Sequence, residues 1–196
     1  MTSLLNDAGL RHVWRGHSLF HAGEMGQAWR VETGVVLLER PLKDGQFPVQ
    51  LGLPGDLIGV ESLCAQPCAF SANALTAATV SPVEVNGEVA RFGTIARGYM
   101  QQQRQALDMV RLRSGTIQQR LAHLLALLGK DSLGRIHPML RHQLPPLKDL
   151  AQIVDSAKET VCRELNVLLP RHTPSATPTK SRWINEPGFS DLAWGL

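Results

Sequence analysis

Between residues 11 and 88, apolar positions come in short runs separated by turn chemistry. Trp29-Arg30-Val31, Val35-Val36-Leu37-Leu38-Glu39, Val49-Gln50-Leu51 and Ala74-Leu75-Thr76-Ala77-Ala78-Thr79-Val80 have strand length and strand composition. Gly23, Gly26, Gly34, Asp44-Gly45, Pro54-Gly55-Asp56 and Asn86-Gly87 lie between and around them, as hairpin turns require. The pattern predicts a small antiparallel β-roll. From residue 89 to 129 the texture changes to many Gln, Arg, Leu and Ala with no proline, which predicts helix. One face runs through Ala96, Met100, Gln103, Leu107, Val110, Ser114, Ile117, Leu121, Leu124 and Leu128 at alternating steps of four and three. This heptad seam points to a parallel dimer contact, packing against the chain's own roll being the alternative. Ser114-Gly115-Thr116 interrupts the seam and predicts two helices, the second capped by Ser or Thr.

Leu144-Pro145-Pro146 breaks the pattern, and residues 147–169 return to helical periodicity in two short pieces. Leu147, Leu150, Ala151, Ile153 and Val154 form the apolar face of the first piece, and Val161, Leu165 and Leu168 that of the second. Asp155-Ser156 lies between them, so the pair predicts a helix-turn-helix. Residues 170–180, rich in Pro, Thr and Ser, read as a loop leading to a wing strand at residues 181–185. The expected fold is α+β, in three parts: a β-roll sensor (residues 1–92), a dimerisation helix and hinge (93–130) and a winged helix-turn-helix (131–196).

Hydrophobic residues at 43% and charged residues at 19% fit a folded globular chain and argue against a disordered one. Three scattered cysteines, Cys64, Cys68 and Cys162, are too few for a disulfide scaffold or a four-ligand zinc site, which points to a reducing compartment. No apolar stretch approaches the roughly 18 residues that span a bilayer, and residues 1–10 lack a secretory pattern, so the expected location is the cytoplasm, away from membranes. The net charge of +3 conceals an asymmetry. Residues 1–90 hold five basic and nine acidic groups, net −4, whereas residues 91–182 hold fifteen basic and six acidic groups, net +9. A basic half beside an acidic one points to a polyanion partner such as double-stranded DNA, with a solvated helix surface as the plainer alternative.

In Ser156-Ala157-Lys158-Glu159-Thr160-Val161-Cys162-Arg163, Val161 faces the core while Lys158, Glu159, Cys162 and Arg163 share the outer face. A recognition helix needs that division. Arg163 is able to donate to guanine O6 and N7, Glu159 to accept from cytosine N4, and Ser156 or Thr160 to reach a phosphate. The same spacing also permits an intrahelical Glu159 to Arg163 pair on a helix that reads nothing.

The order of roll, long helix and helix-turn-helix, with Pro54-Gly55-Asp56-Leu57-Ile58-Gly59 and Lys158-Glu159-Thr160-Val161-Cys162-Arg163, resembles the Crp/Fnr family of bacterial transcription regulators. Phe20-His21-Ala22-Gly23-Glu24, Thr33-Gly34-Val35-Val36 and Arg120-Leu121-Ala122-His123-Leu124-Leu125 extend the resemblance over nearly the whole chain. It implies a roll of the cyclic-nucleotide-binding type and a homodimer whose contact includes Met100, Gln103, Leu107 and Val110. It also implies that the outer face of the second helix reads a palindromic DNA site, and that RNA polymerase is a partner. Glu61, Phe70 and Ser71 stand where family members bind their effector.

Departures from the family pattern concern the effector. The position of the phosphate-pairing Arg is Phe70, and no Arg or Lys lies between Lys43 and Arg91, so a buried cyclic phosphate would lack a cation and cyclic AMP is not the expected effector. No Cys precedes Cys64, which argues against an iron-sulfur cluster. Asp155 replaces the Gly often found in the turn, a mild penalty because Asp tolerates a left-handed backbone. Glu164 stands at a usually apolar place. No cofactor is predicted, and the effector is left unnamed.

Cys64 and Cys68, four apart, form either a redox pair or incidental thiols. His17, His21 and Glu24 invite a metal reading, that of a cupin-like metal-dependent enzyme with a helical appendage. That class, however, uses a His-x-His pair with a later His, and the roll has no histidine after Asp56. The sequence carries no catalytic triad, phosphate-cradling glycine loop or paired catalytic carboxylates, so the expected function is a DNA-binding regulator rather than an enzyme.

Overall fold

Strand β4 (Val36–Leu42) shows how the roll is assembled. Its alternation sends Val36 and Leu38 into the roll interior and Leu37 to the opposite face. The computed structural model describes residues 9–43, 45–131, 133–135, 137 and 141–170. Around β4 it places β1 (Arg11–Val13), β2 (Ser18–Phe20), β3 (Trp29–Thr33), β5 (Gly45–Gly52), β6 (Leu57–Ile58), β7 (Ser71–Ala74) and β8 (Ala78–Pro82). The strands form two four-stranded antiparallel sheets, ordered β1-β8-β3-β6 and β2-β7-β4-β5. Their facing sides enclose a core that includes Val13, Leu19, Trp29, Val31, Ile58, Ala72 and Val80. The predicted roll is present.

The run at residues 74–80, read as one strand, is divided in two. β7 pairs with β4 in one sheet and β8 with β3 in the other, so the chain crosses between sheets at residues 75–77. Leu75 and Thr76 donate backbone N–H groups to the Val35 carbonyl, at 2.9 and 3.3 Å, while the Thr76 hydroxyl accepts the Val35 N–H at 2.9 Å. Gly34 sits beneath this crossing with φ of +76°, where a Cβ atom would lie 2.2 Å from the Ala77 carbonyl oxygen. Only glycine fits there.

Helices α1 (Glu88–Arg113) and α2 (Ile117–Leu128) follow, and α3 (Leu147–Ile153) and α4 (Lys158–Leu168) complete the described part. α1 lies on the roll through Thr94, Gly98, Gln105, Met109 and Leu112. Gly98 permits the approach, since a Cβ there would stand 3.1 Å from Val60 Cγ1. Gln101 closes the free edge of β6: its Oε1 accepts the Leu57 N–H and its Nε2 donates to the Leu57 carbonyl, both at 2.8 Å. An exposed sheet edge is thereby satisfied by a helix side chain.

The break expected at Ser114-Gly115-Thr116 is where α1 ends. Thr116 and Gln119 form a reciprocal capping box, Thr116 Oγ1 accepting the Gln119 N–H at 3.2 Å and Gln119 Oε1 accepting the Thr116 N–H at 3.0 Å. The heptad seam does not run on as one surface. Met100, Leu107 and Val110 are exposed, whereas Leu121, Leu124 and Leu128 are buried against α3 and α4. Gly115, at φ +83°, redirects the chain, and the second half of the stripe turns inward.

Leu121, Leu124, Leu150, Ile153, Val161 and Leu165 are fully or almost fully buried in a second core, each large side chain contributing about 1.5–3 kcal/mol. That core continues onto the outer face of the β4-β5 sheet through Leu37, Leu51 and Leu53. The tip of the β4-β5 hairpin reaches the helices as well. Arg113 stacks 4.4 Å from the Phe47 ring centroid and donates to the Pro48 carbonyl at 2.6 Å, while Gln152 Nε2 donates to the Gln46 carbonyl. The expected wing at 181–185 lies outside the described residues.

Candidate nucleic-acid interface

The two short helices predicted for residues 147–169 are α3 and α4, joined by residues 154–157. Asp155 takes φ of +51°, the left-handed backbone that the turn demands and that Asp accepts at modest cost. The turn is tied down from α2: Arg120 Nη1 donates to the Val154 carbonyl at 3.1 Å and to the Asp155 carbonyl at 3.4 Å. Arg141 holds the far end of α4, donating to the Leu165 and Leu169 carbonyls at 3.3 and 2.8 Å and to Asn166 Oδ1 at 2.8 Å. A cation thus caps the free carbonyls where the helix dipole is negative.

With Val161 and Leu165 buried, α4 turns its other side outward. Lys158, Glu159, Cys162 and Arg163 share one open face with Leu147 of α3 and Asn166. Thr160 and Ser156 are half-buried at the start of the helix and in the turn. Sequence reading missed Asn166, although it falls three residues after Arg163 on the same stripe. The intrahelical pair proposed as the plainer alternative is not formed: Arg163 Nε lies 3.6 Å from Glu164 Oε1, and no Glu159 to Arg163 contact within 4 Å occurs. Glu164 is partly exposed at the edge of the core, which accommodates its charge. The face offers a guanidinium, an ammonium, a carboxylate and an amide on a convex helix, the donor and acceptor set that base edges in a major groove require.

The residues expected to bind an effector are placed differently. Glu61 and Phe70 line a space between the roll and α1 together with Phe20, Leu38 and Gln102, and its volume is about 20 Å³, room for little more than one water. Ser71 is buried elsewhere, its hydroxyl accepting the Ala22 N–H at 3.1 Å. Below this space Asp56 is buried, accepting from Leu53 N–H at 3.0 Å, from Gln105 Nε2 at 3.1 Å and from Arg104. Burial pushes the Asp56 carboxyl above its ordinary pKa, and the Leu53 N–H, Arg104 and Gln105 oppose that shift. Burial likewise raises the pKa of Cys68, while Cys64 is exposed. Glu24 is engaged by the His21 backbone N–H at 2.8 Å.

On α1, Met100, Gln103, Leu107 and Val110 lie exposed along one stripe that Phe92 and Val89 extend toward the helix start. Six large apolar side chains of one helix, counting Tyr99, thus face solvent in the single chain.

No protein-family model and no curated protein matches this chain. Solved structures do. A transcriptional regulator of the CRP family from Thermus thermophilus is 25% identical and superposes with a TM-score of 0.64, over 80% of this chain and 83% of that one. A CRP/FNR-family transcriptional regulator from the same organism is 25% identical with a TM-score of 0.59, over 81% and 84% of the two chains. FixK2 from Bradyrhizobium japonicum is 22% identical with a TM-score of 0.63, over 81% and 83%. Roll, long helix and helix pair therefore stand in the arrangement that the sequence motifs implied, and the chain has the architecture of the CRP/FNR family of transcriptional regulators.

Proposed function

We propose that this protein is a homodimeric, sequence-specific transcription regulator that reads a palindromic DNA site with α4. One observation carries the reading: Lys158, Glu159, Cys162, Arg163 and Asn166 share an open face on a helix anchored by Val161 and Leu165. In this reading residues 1–92 are the sensor roll, 93–130 the dimerisation helix and hinge, and 131–196 the DNA-binding unit. Met100, Leu107 and Val110 gain their missing partner when two α1 helices pair in parallel, which sets two α4 helices for successive major grooves. Lys158, Thr160 and Ser156 bind phosphates at the start of α4, while Arg163 and Glu159 read bases. The filled space behind Phe70 supports an effector other than cyclic AMP. RNA polymerase is the further partner this role entails. Among the described residues no helix is long and apolar enough to cross a membrane.

Selection of duplexes from a random library tests the reading. The expected product is a twofold-symmetric motif with half-sites about one helical turn apart. Arg163→Ala should then cost about 1–3 kcal/mol on the selected duplex and little on random duplex, measured by titration at two salt concentrations. Unpatterned binding, lost equally on both duplexes, would reduce α4 to a phosphate-binding surface.

A further inference from the structure

Outside the roll, three parts of the chain meet around an open cleft of about 670 Å³. Its walls are the 54–57 turn with Arg30 of β3, the side of α1 that carries Arg97, Met100 and Arg104, and the segment after α2 with Lys130 and Leu133. The volume falls in the range of small-molecule sites, whereas the space beside Phe70, between the roll and α1, holds about 20 Å³.

The cleft has an unbalanced charge. Arg30, Arg97, Arg104 and Lys130 line it against two carboxylates, Asp56 and Asp131. Both carboxylates are already engaged. Asp56 is buried under Arg104, Gln105 and the Leu53 N–H. Asp131 accepts from Arg135 Nε at 2.7 Å and lies 3.1 Å from His137 Nε2. Among the described residues, Arg30, Arg97 and Lys130 have no carboxylate within 4 Å, and Lys130 acts on Asp56 only from farther away. Arg97 is nevertheless held in place, its Nη2 donating to Thr94 Oγ1 at 3.0 Å, which leaves the rest of the guanidinium fork free. Leu57, Met100 and Leu133 supply apolar wall beside these cations.

From this arrangement we infer that the cleft binds a small organic anion carrying phosphate groups, of the nucleotide class. Its phosphates lie between Arg30, Arg97 and Lys130, and its flat apolar body lies against Leu133. Two guanidinium forks and an ammonium lining one cleft suit a multiply charged oxyanion better than a single carboxylate. The site is separate from the space between the roll and α1 that Phe70 lines, sharing only Leu57 and Gln101 with its lining. A ligand here touches the roll, the long helix and the segment leading to α3 at once, so its binding free energy depends on how those three parts sit. Ala96 and Met100 also belong to the exposed stripe of α1, so pairing of two α1 helices would add a further wall.

Calorimetric titration of the full chain with ATP and with inorganic pyrophosphate at physiological ionic strength tests the inference, and it uses no DNA. The expected result is saturable binding, one ligand per chain, weakened about tenfold or more by Arg97→Gln or Arg30→Gln. Arg163→Ala, which removes a cation of α4, should leave it unchanged. Lys130→Gln serves as a third variant where a thermal melt shows that an arginine variant fails to fold. Absence of saturable binding, insensitivity to all three cleft variants, or loss on Arg163→Ala would overturn the site. Tighter binding of citrate than of either phosphate probe, with the same sensitivity, would overturn the phosphate assignment.

Discussion

Leu107 and Leu124 occupy one heptad frame, yet Leu107 is 61% exposed in the single chain and Leu124 is completely sealed. Both follow the same three-four spacing, both are leucine, and fewer than twenty residues separate them. The difference arises at Gly115, after which α2 rotates its stripe toward Leu150, Val161 and Leu165. Periodicity identifies which face of a helix is apolar, while the bend between helices decides what covers it. α1 leaves its stripe open to solvent in the single chain, and α2 spends its own inside the fold.

The contrast breaks most visibly at Leu124. Leu124→Ala should destabilise the chain by about 2–5 kcal/mol, read as a denaturation midpoint that falls by the same amount at every protein concentration. A fall that grows on dilution would place Leu124 between two copies and erase the distinction. Gly115→Ala is next, at about 1–2 kcal/mol, because the new Cβ meets Gln119 Oε1 at 2.6 Å on a left-handed backbone. An unchanged melting temperature there would mean that the bend does not depend on glycine. Thr116→Ala removes the capping box for about 1 kcal/mol, and Thr116→Ser should restore most of it; equal losses in both would assign the effect to packing of the methyl group. Leu107→Ala is expected to move the stability of dilute monomer by no more than about 0.5 kcal/mol. Its effect should appear in sedimentation as a shift from dimer to monomer. A large loss of stability in the monomer would make the outer face of α1 part of the chain's own core.

The roll, the two-part long helix and the paired short helices were legible because each rests on local signals: strand-length apolar runs, Ser114-Gly115-Thr116, and Asp155-Ser156 between two amphipathic pieces. The outer face of α4 was legible for the same reason, since Val161 and Leu165 fix which side turns inward. What escaped depends on distant residues meeting. The 74–80 run gives no local sign that it changes sheets, because the change is made by Val35, some forty residues earlier. Gln101 closing the edge of β6, Arg120 holding the turn at Val154, and Arg141 capping α4 each join residues more than twenty positions apart. Glu61, Phe70 and Ser71 were grouped by analogy; Glu61 and Phe70 line one small space, and the Ser71 hydroxyl accepts the Ala22 N–H. The Arg30, Arg97 and Lys130 cleft draws on three elements, and no spacing along the chain announces it.

The apolar surface shared by Leu37, Leu51 and Leu53 of the roll with the helical core has a thermal consequence. A swing of the helices away from the β4-β5 sheet would bare part of that surface to water and so raise the heat capacity of the molecule. A balance between docked and released arrangements would then follow a curved function of temperature, apart from the melting of the roll. Warming or cooling alone would tilt the angle at which α4 is presented.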